Sequence, residues 1–220
     1  MNVCAVSAWE SPSPQTSSAS DILSFLREAT AELVVLPGVS RSRNTPSPEE
    51  VKRVIRLGVA VFVEHRGPKG ETTPYLVTCD GPPKPMPRQI FSKAPTAECM
   101  AALVEKWPSR TFRIGSRTVT FAICGEINGF NSDGHVKHGR VLPFDILANP
   151  AHTVMGRWQH LGPKLSALSK GRVVIHVAND NRKNPEPLKT DVRIYINENF
   201  QEAEVQADRR LKLKWCQCEI

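Results

Sequence analysis

The sequence predicts an α/β domain built on mixed β-sheet, and three observations carry that prediction. Through Val63, short apolar runs alternate with amphipathic stretches in the order strand, helix, strand, helix, strand. Further on, pairs of β-rich runs flank turn residues, as antiparallel hairpins do. A length of 220 residues with 40% hydrophobic content suits one globular domain spanning residues 1–220.

Each element has its own signal. Val3 to Trp9 is an apolar run that predicts a first strand, and Ser11 to Ser20 is a Ser- and Pro-rich loop. Ser20-Asp21 offers an N-cap for a helix from Asp21 to Ala31, whose Ile22, Leu23, Phe25, Leu26 and Ala29 form an apolar stripe. Leu33 to Leu36 is a continuous apolar run, as in a strand buried on both faces, stopped by Pro37-Gly38. Ser47-Pro48-Glu49-Glu50 opens a second helix with an early proline and first-turn carboxylates, and Gly58 is expected to end it. Val59 to Val63 is the next strand. Tyr75 to Thr78 and Arg88 to Ser92 are expected to pair around a Pro-rich loop, and Thr111 to Ile114 and Val119 to Cys124 around Gly115-Ser116. A helix is expected over Ala97 to Lys106. Later come a strand over Phe144 to Pro150, a helix over Trp158 to Leu168, and strands over Arg172 to Asn179, Val192 to Ile196 and Leu211 to Trp215.

Composition narrows the function classes. No apolar run approaches the ~18 residues of a spanning helix, and the first six residues lack the basic flank of a signal peptide, so no membrane role and a cytoplasmic location are expected. The six cysteines form no framework, so reduced thiols are expected, and Cys216 and Cys218 share one face if their segment is a strand. The net charge of +7 is scattered in short groups (Arg41 and Arg43, Arg182 and Lys183, Arg209 and Arg210, Lys212 and Lys214). Aromatics make up only 6%, too few to interleave with these basic groups, so a nucleic-acid partner is not expected. His135 and His138 beside Asp133 lack a firm third ligand, and neither a metal nor a cofactor is expected.

The run Thr118 to Glu126 carries the chemistry. It begins β-branched and aromatic and ends Cys124-Gly125-Glu126, which presents a thiol where a strand meets a turn. Lys93 lies upstream, and a cation beside a thiol favours the thiolate. Read locally, a strand-end cysteine packs as a small hydrophobe and a lone lysine sits in solvent.

The order of these elements resembles the nitrilase, or carbon–nitrogen hydrolase, superfamily. Ile123-Cys124-Gly125-Glu126 is similar to its nucleophile motif and Phe91-Ser92-Lys93-Ala94-Pro95 to its lysine segment. Asn149-Pro150, Trp158 and Val173 to Asn179 follow in the family's order. The resemblance implies a four-layer αββα sandwich, a Glu-Lys-Cys triad, a small-molecule amide or acyl substrate and a homodimer. One position departs: where the family has V-V-F-P-E, this chain reads Val34-Val35-Leu36-Pro37-Gly38, so a glycine stands at the catalytic glutamate.

Two outcomes follow. In the first, the chain hydrolyses non-peptide C–N (amide) bonds through a thioester, with Cys124 as nucleophile and Lys93 stabilising developing charge. Glu126, two residues after the cysteine, and Glu98, five after the lysine, are the candidate substitute bases. His152, after Asn149-Pro150-Ala151, and Trp158 are candidate substrate-binding residues, and a Cys124–His152 thiol–imidazole pair is an alternative route to activation. His176, mid-strand, reads as a satisfied core histidine. In the second outcome the chain is catalytically degenerate and serves as a binding or assembly module. Restoring Gly38→Glu is expected to raise amidase activity where the backbone at 38 is not held at positive φ.

Overall fold

A computed structural model describes residues 1–8, 17–39, 45–138, 142–152, 158–179, 192–201, 206–208 and 210–220. The loop over 11–16, Arg41, Arg43, Arg182, Lys183 and Arg209 lie outside these.

Two sheets form the centre. Strands β1 (Asn2–Ala8), β2 (Leu33–Val35), β3 (Ala60–Arg66), β4 (Thr72–Thr78), β5 (Lys84–Pro85), β12 (Gln206–Asp208) and β13 (Leu213–Glu219) make one, in the order β12-β13-β1-β2-β3-β4-β5. Strands β6 (Thr111–Ile114), β7 (Arg117–Phe121), β8 (Ile146–Ala151), β9 (Val173–Ala178), β10 (Val192–Ile196) and β11 (Asn199–Phe200) make the other, in the order β11-β10-β9-β8-β7-β6. In each, three parallel strands (β1-β2-β3 and β7-β8-β9) are flanked by antiparallel ones.

Period-two alternation sorts side chains into layers. Val3, Ala5, Val35 and Phe62 from one sheet meet Phe121, Ala148, Ile175 and Val177 from the other. Phe62 stacks on Phe121 across the gap with ring centroids 5.0 Å apart. The alternate residues Val6, Val34 and Val61 face helices α1 (Ala19–Glu28) and α2 (Pro48–Val54) through Ile22, Leu26 and Val51. Leu147 and Val174 face α3 (Ala97–Lys106) and α4 (Trp158–Leu168) through Met100, Leu103, Leu161 and Leu165. Apolar contact on both faces of both sheets produces the αββα sandwich, as expected. No helix among the described residues is long and apolar enough to cross a membrane.

The differences from expectation are local. Helix α1 starts earlier because Ser18, not Ser20, is the cap: its hydroxyl accepts from the Asp21 amide, and the Asp21 carboxylate accepts from the Ser18 amide. Helix α2 stops at Val54, and Gly58, at φ +83, turns the chain into β3 instead of ending the helix. Arg88 to Ser92 is not a strand. Lys84–Pro85 takes the place beside β4, and the 88–92 backbone is tethered by buried side chains. Strand β7 ends at Phe121, before the cysteine. Strand β13 begins at Leu213, and it carries Cys216 and Cys218 to the face between the sheets, as the spacing implied.

Candidate active site

The site lies at the carboxyl ends of β2, β3, β7 and β8. Strand β7 leaves the sheet after Phe121, while β8 runs on through Asn149, Pro150 and Ala151. Cys124 opens a 3₁₀ turn over Cys124–Gly129 in the gap so formed. Opposite, β2 ends in Leu36-Pro37-Gly38, and the Gly38 amide donates to the Ala151 carbonyl at 3.0 Å, joining the two sheets at this rim. The Asn179 side-chain amide donates to the Gly38 carbonyl at 2.7 Å and the His152 carbonyl at 2.8 Å, fixing both loops against each other.

Glu64 continues the alternation of Ala60 and Phe62, so its side chain points between the sheets at their edge. It is buried, and Oε2 accepts from the Val39 amide at 2.7 Å and lies 2.7 Å from His152 Nε2. With Nε2 committed to Glu64, the remaining ring nitrogen, Nδ1, is the one left for Cys124, whose thiol and the His152 side chain act on each other's protonation. Burial works against the imidazolium, but the hydrogen bonds and charges of Cys124 and Glu64 outweigh it and hold His152 up at about 10. Burial likewise pushes the Cys124 thiol up. The His152 side chain, its charge, and the His152 and Gly125 backbones outweigh that and leave the thiol below its ordinary value. Both shifts favour a thiolate beside an imidazolium, with the Glu64 side chain behind the ring.

Gly38 is required here for space. A Cβ at 38 would lie 2.5 Å from His152 Cδ2, 3.0 Å from its Nε2 and 3.2 Å from Glu64 Oε2. The imidazole and carboxylate occupy the room a side chain at 38 would use. The expected benefit of Gly38→Glu is thereby reversed, since the added side chain would displace the ring.

The Cys124 turn is held in a costly shape. Cys124 has φ +49, a left-handed conformation worth ~1–2 kcal/mol against a non-glycine residue. Asn149 Nδ2 donates to the Cys124 carbonyl at 2.9 Å and also to the Ala122 carbonyl. At Gly125 a Cβ would come within 2.3 Å of the Ser92 carbonyl oxygen, so the 88–92 segment packs directly on the turn. Beneath it, fully buried Arg110 pairs with Glu126 and donates to the Arg88 carbonyl. Glu126 accepts from the Ile90 amide at 2.6 Å and the Ile123 amide at 2.8 Å.

The structure associates Cys124 with His152 and, among the described residues, joins none of the other expected residues to the thiol by a hydrogen bond or ion pair. Lys93 is exposed, and among the described residues no hydrogen bond or ion pair joins it to Cys124. Glu126 fastens the turn through Arg110 and two amides; the glycine between it and Cys124 turns the chain, so the two side chains do not share a face. Glu98 is exposed in the first turn of α3, where a hydrogen bond with Thr96 holds its carboxyl below the usual range. Trp158 stands edge-on to His176, centroids 5.5 Å apart, with the Arg193 guanidinium 3.7 Å over its ring. His176 is a core histidine, as expected, but only half satisfied: Nδ1 lies 2.7 Å from Asn149 Oδ1, while among the described residues Nε2 has no partner. His135 and Asp133 pair at 3.2 Å on the surface, and no group of three or more ligating side chains among the described residues could hold a metal.

Sequence reading missed Glu64. A signal existed: with Leu33 level with Ala60 and Val35 with Phe62, the parallel register extends to set Glu64 beside Pro37. A carboxylate ending an apolar strand at that point is out of place in a core.

Neither a family model nor any curated protein matches the sequence. Solved structures do match the fold. A CN-hydrolase superfamily protein from Xanthomonas campestris, with an arsenic adduct in its active site, aligns over 100% of this chain and 91% of its own, at TM-score 0.59 and 12% identity. An amidase from Nesterenkonia sp. aligns over 99% of this chain and 90% of its own, at TM-score 0.60 and 11% identity. A glutamine-dependent NAD+ synthetase from Acinetobacter baumannii aligns over 97% of this chain but 47% of its own, at TM-score 0.55 and 12% identity. The chain therefore has the carbon–nitrogen hydrolase fold.

Proposed function

We propose that this protein hydrolyses the C–N bond of a small amide through a Cys124 thioester, with His152 as general base and acid and Glu64 as the residue that positions it. The observation that carries the reading is the Glu64–His152 hydrogen bond at the strand ends, in the space left by Gly38, with the Cys124 thiol and the His152 ring shifting each other's protonation. It supplies a proton acceptor at the thiol without the glutamate that the family resemblance implies at position 38.

The steps balance within these residues. The Cys124 thiolate adds to the amide carbon, forming a C–S bond and moving the carbonyl pair onto oxygen. Collapse breaks the C–N bond, and His152 Nδ1 gives its proton to the departing amine. Neutral His152 then takes a proton from water as that water's oxygen adds to the thioester carbon. The second collapse expels the thiolate and releases the acid, which restores the starting pair. Glu64 keeps Nε2 protonated, so Nδ1 is the nitrogen that exchanges protons with sulfur, water and amine.

Carboxylate release from a panel of short aliphatic amides tests this. Wild type is expected to turn over at least one, Cys124→Ala none, and His152→Ala to lose about 10²–10⁴-fold in kcat/KM. Glu64→Gln is expected to move the pH profile of kcat/KM as well as its height. Turnover that survives Cys124→Ala would end the proposal. So would an inert panel combined with a thiol that alkylates like free cysteine, which would favour a binding module.

A further inference from the structure

A second polar pair lies behind the nucleophile, and the steps above do not use it. Asn149 and His176 are register neighbours on the parallel strands β8 and β9. Their side chains alternate with Ala148 and Ile175, which face the other sheet, so both point outward toward α4. Both are completely buried. From that side Asn149 Nδ2 reaches the Ala122 and Cys124 carbonyls, on either side of the bend where the chain leaves β7. Its Oδ1 faces His176 Nδ1 at 2.7 Å.

We propose that Asn149, with its amide orientation locked by His176, is the positioning residue that holds the Cys124 backbone left-handed and so aims the thiol at His152. This rests on the Cys124–His152 reading above.

Donor and acceptor chemistry allows one arrangement. Two carbonyl oxygens can only accept, so the amide nitrogen must face them and its oxygen must face His176. His176 must then carry its proton on Nδ1, which leaves Nε2 bare. Among the described residues Nε2 has no hydrogen-bond partner, and the Trp158 ring stands against the imidazole. Burial first, and then the Arg193 charge, push His176 down to about 3, so the neutral ring persists through the working pH range. A flipped amide would set oxygen against two carbonyls. An aspartate would do the same, so the position calls for asparagine. Releasing the Cys124 carbonyl frees its φ of +49 to relax, and the sulfur moves off the imidazole.

The test is the pH profile of Cys124 alkylation by iodoacetamide in the full chain, with folding checked by thermal melts. Asn149→Ala and His176→Leu are expected to slow alkylation near neutral pH about tenfold, with the midpoint moving toward the ordinary thiol value of ~8.5. His176→Asn, which keeps a donor near the Nδ1 position, is expected to retain the wild-type profile. A folded Asn149→Ala with a wild-type profile overturns this proposal and leaves the pairing intact. A wild-type profile in His152→Ala overturns the pairing, and this proposal with it. Should the Asn149 variants not fold, ring nitrogen NMR of the wild type decides. A neutral Nδ1–H tautomer for His176 that does not titrate near pH ~6.5 supports the proposal. An Nε2–H tautomer refutes it.

Discussion

At residue scale, the proposed mechanism ties the thiol to an imidazole. Lys93→Met is expected to leave the pH profile of Cys124 alkylation unchanged, whereas His152→Ala moves its midpoint up toward that of free cysteine; iodoacetamide rates across pH separate the two. Gly38→Ala places a methyl 2.5 Å from His152 Cδ2, and the ring cannot yield without straining its bond to Glu64. Its expected signature is a loss of thiol reactivity larger than its loss of thermal stability, measured on the same sample. The sequence exposed Cys124, and it exposed the thiol–imidazole pairing as one route among several. It could not rank them. Lys93, Glu98 and Glu126 are near Cys124 in order or in motif, while His152 and Glu64 come near it only when two sheets meet at a shared rim.

At element scale, the 3₁₀ turn after β7 depends on a buried ion pair. Arg110 and Glu126 are both fully buried and bind the 88–92 segment, the turn and each other. Removing one partner leaves an unpaired charge, so Arg110→Met is expected to cost about 3–5 kcal/mol in urea unfolding. Burial already raises the Glu126 carboxyl against the pull of Arg110. Without the arginine it rises further, the folded state binds the extra proton, and the loss is expected to be smaller near pH ~5 than near pH ~8. The strands and helices themselves were legible because apolar period and caps are local: α3 and α4 match their predicted spans. Arg88 to Ser92 was misread because β-propensity cannot tell a ladder partner from a segment pinned by distant side chains.

For the whole molecule, stability should follow the charged pair through pH. Folded His152 keeps its proton to about 10 against ~6.5 unfolded, so its contribution is full below ~6.5 and lost as pH rises through about 10. Folded Cys124 ionises below its unfolded value, so its contribution is full above ~8.5 and lost as pH falls through the folded value. Between these limits the two contributions run in opposite directions, so the pair's pH dependence is shallower than that of either group alone. In Cys124→Ala only the histidine remains, and urea midpoints are expected to fall as pH rises from about 7 to about 9 more steeply than in wild type. The sandwich was readable from alternating apolar strands and helices, but where its two sheets touch at the rim was not, and that contact builds the site. The ring nitrogens of His152, followed by NMR, report on it most directly. Both are expected to be protonated at pH ~8 in the wild-type protein, with the ring losing its proton at lower pH in Cys124→Ala. A neutral wild-type ring that titrates near ~6.5, unchanged by the loss of the thiol, would contradict the account.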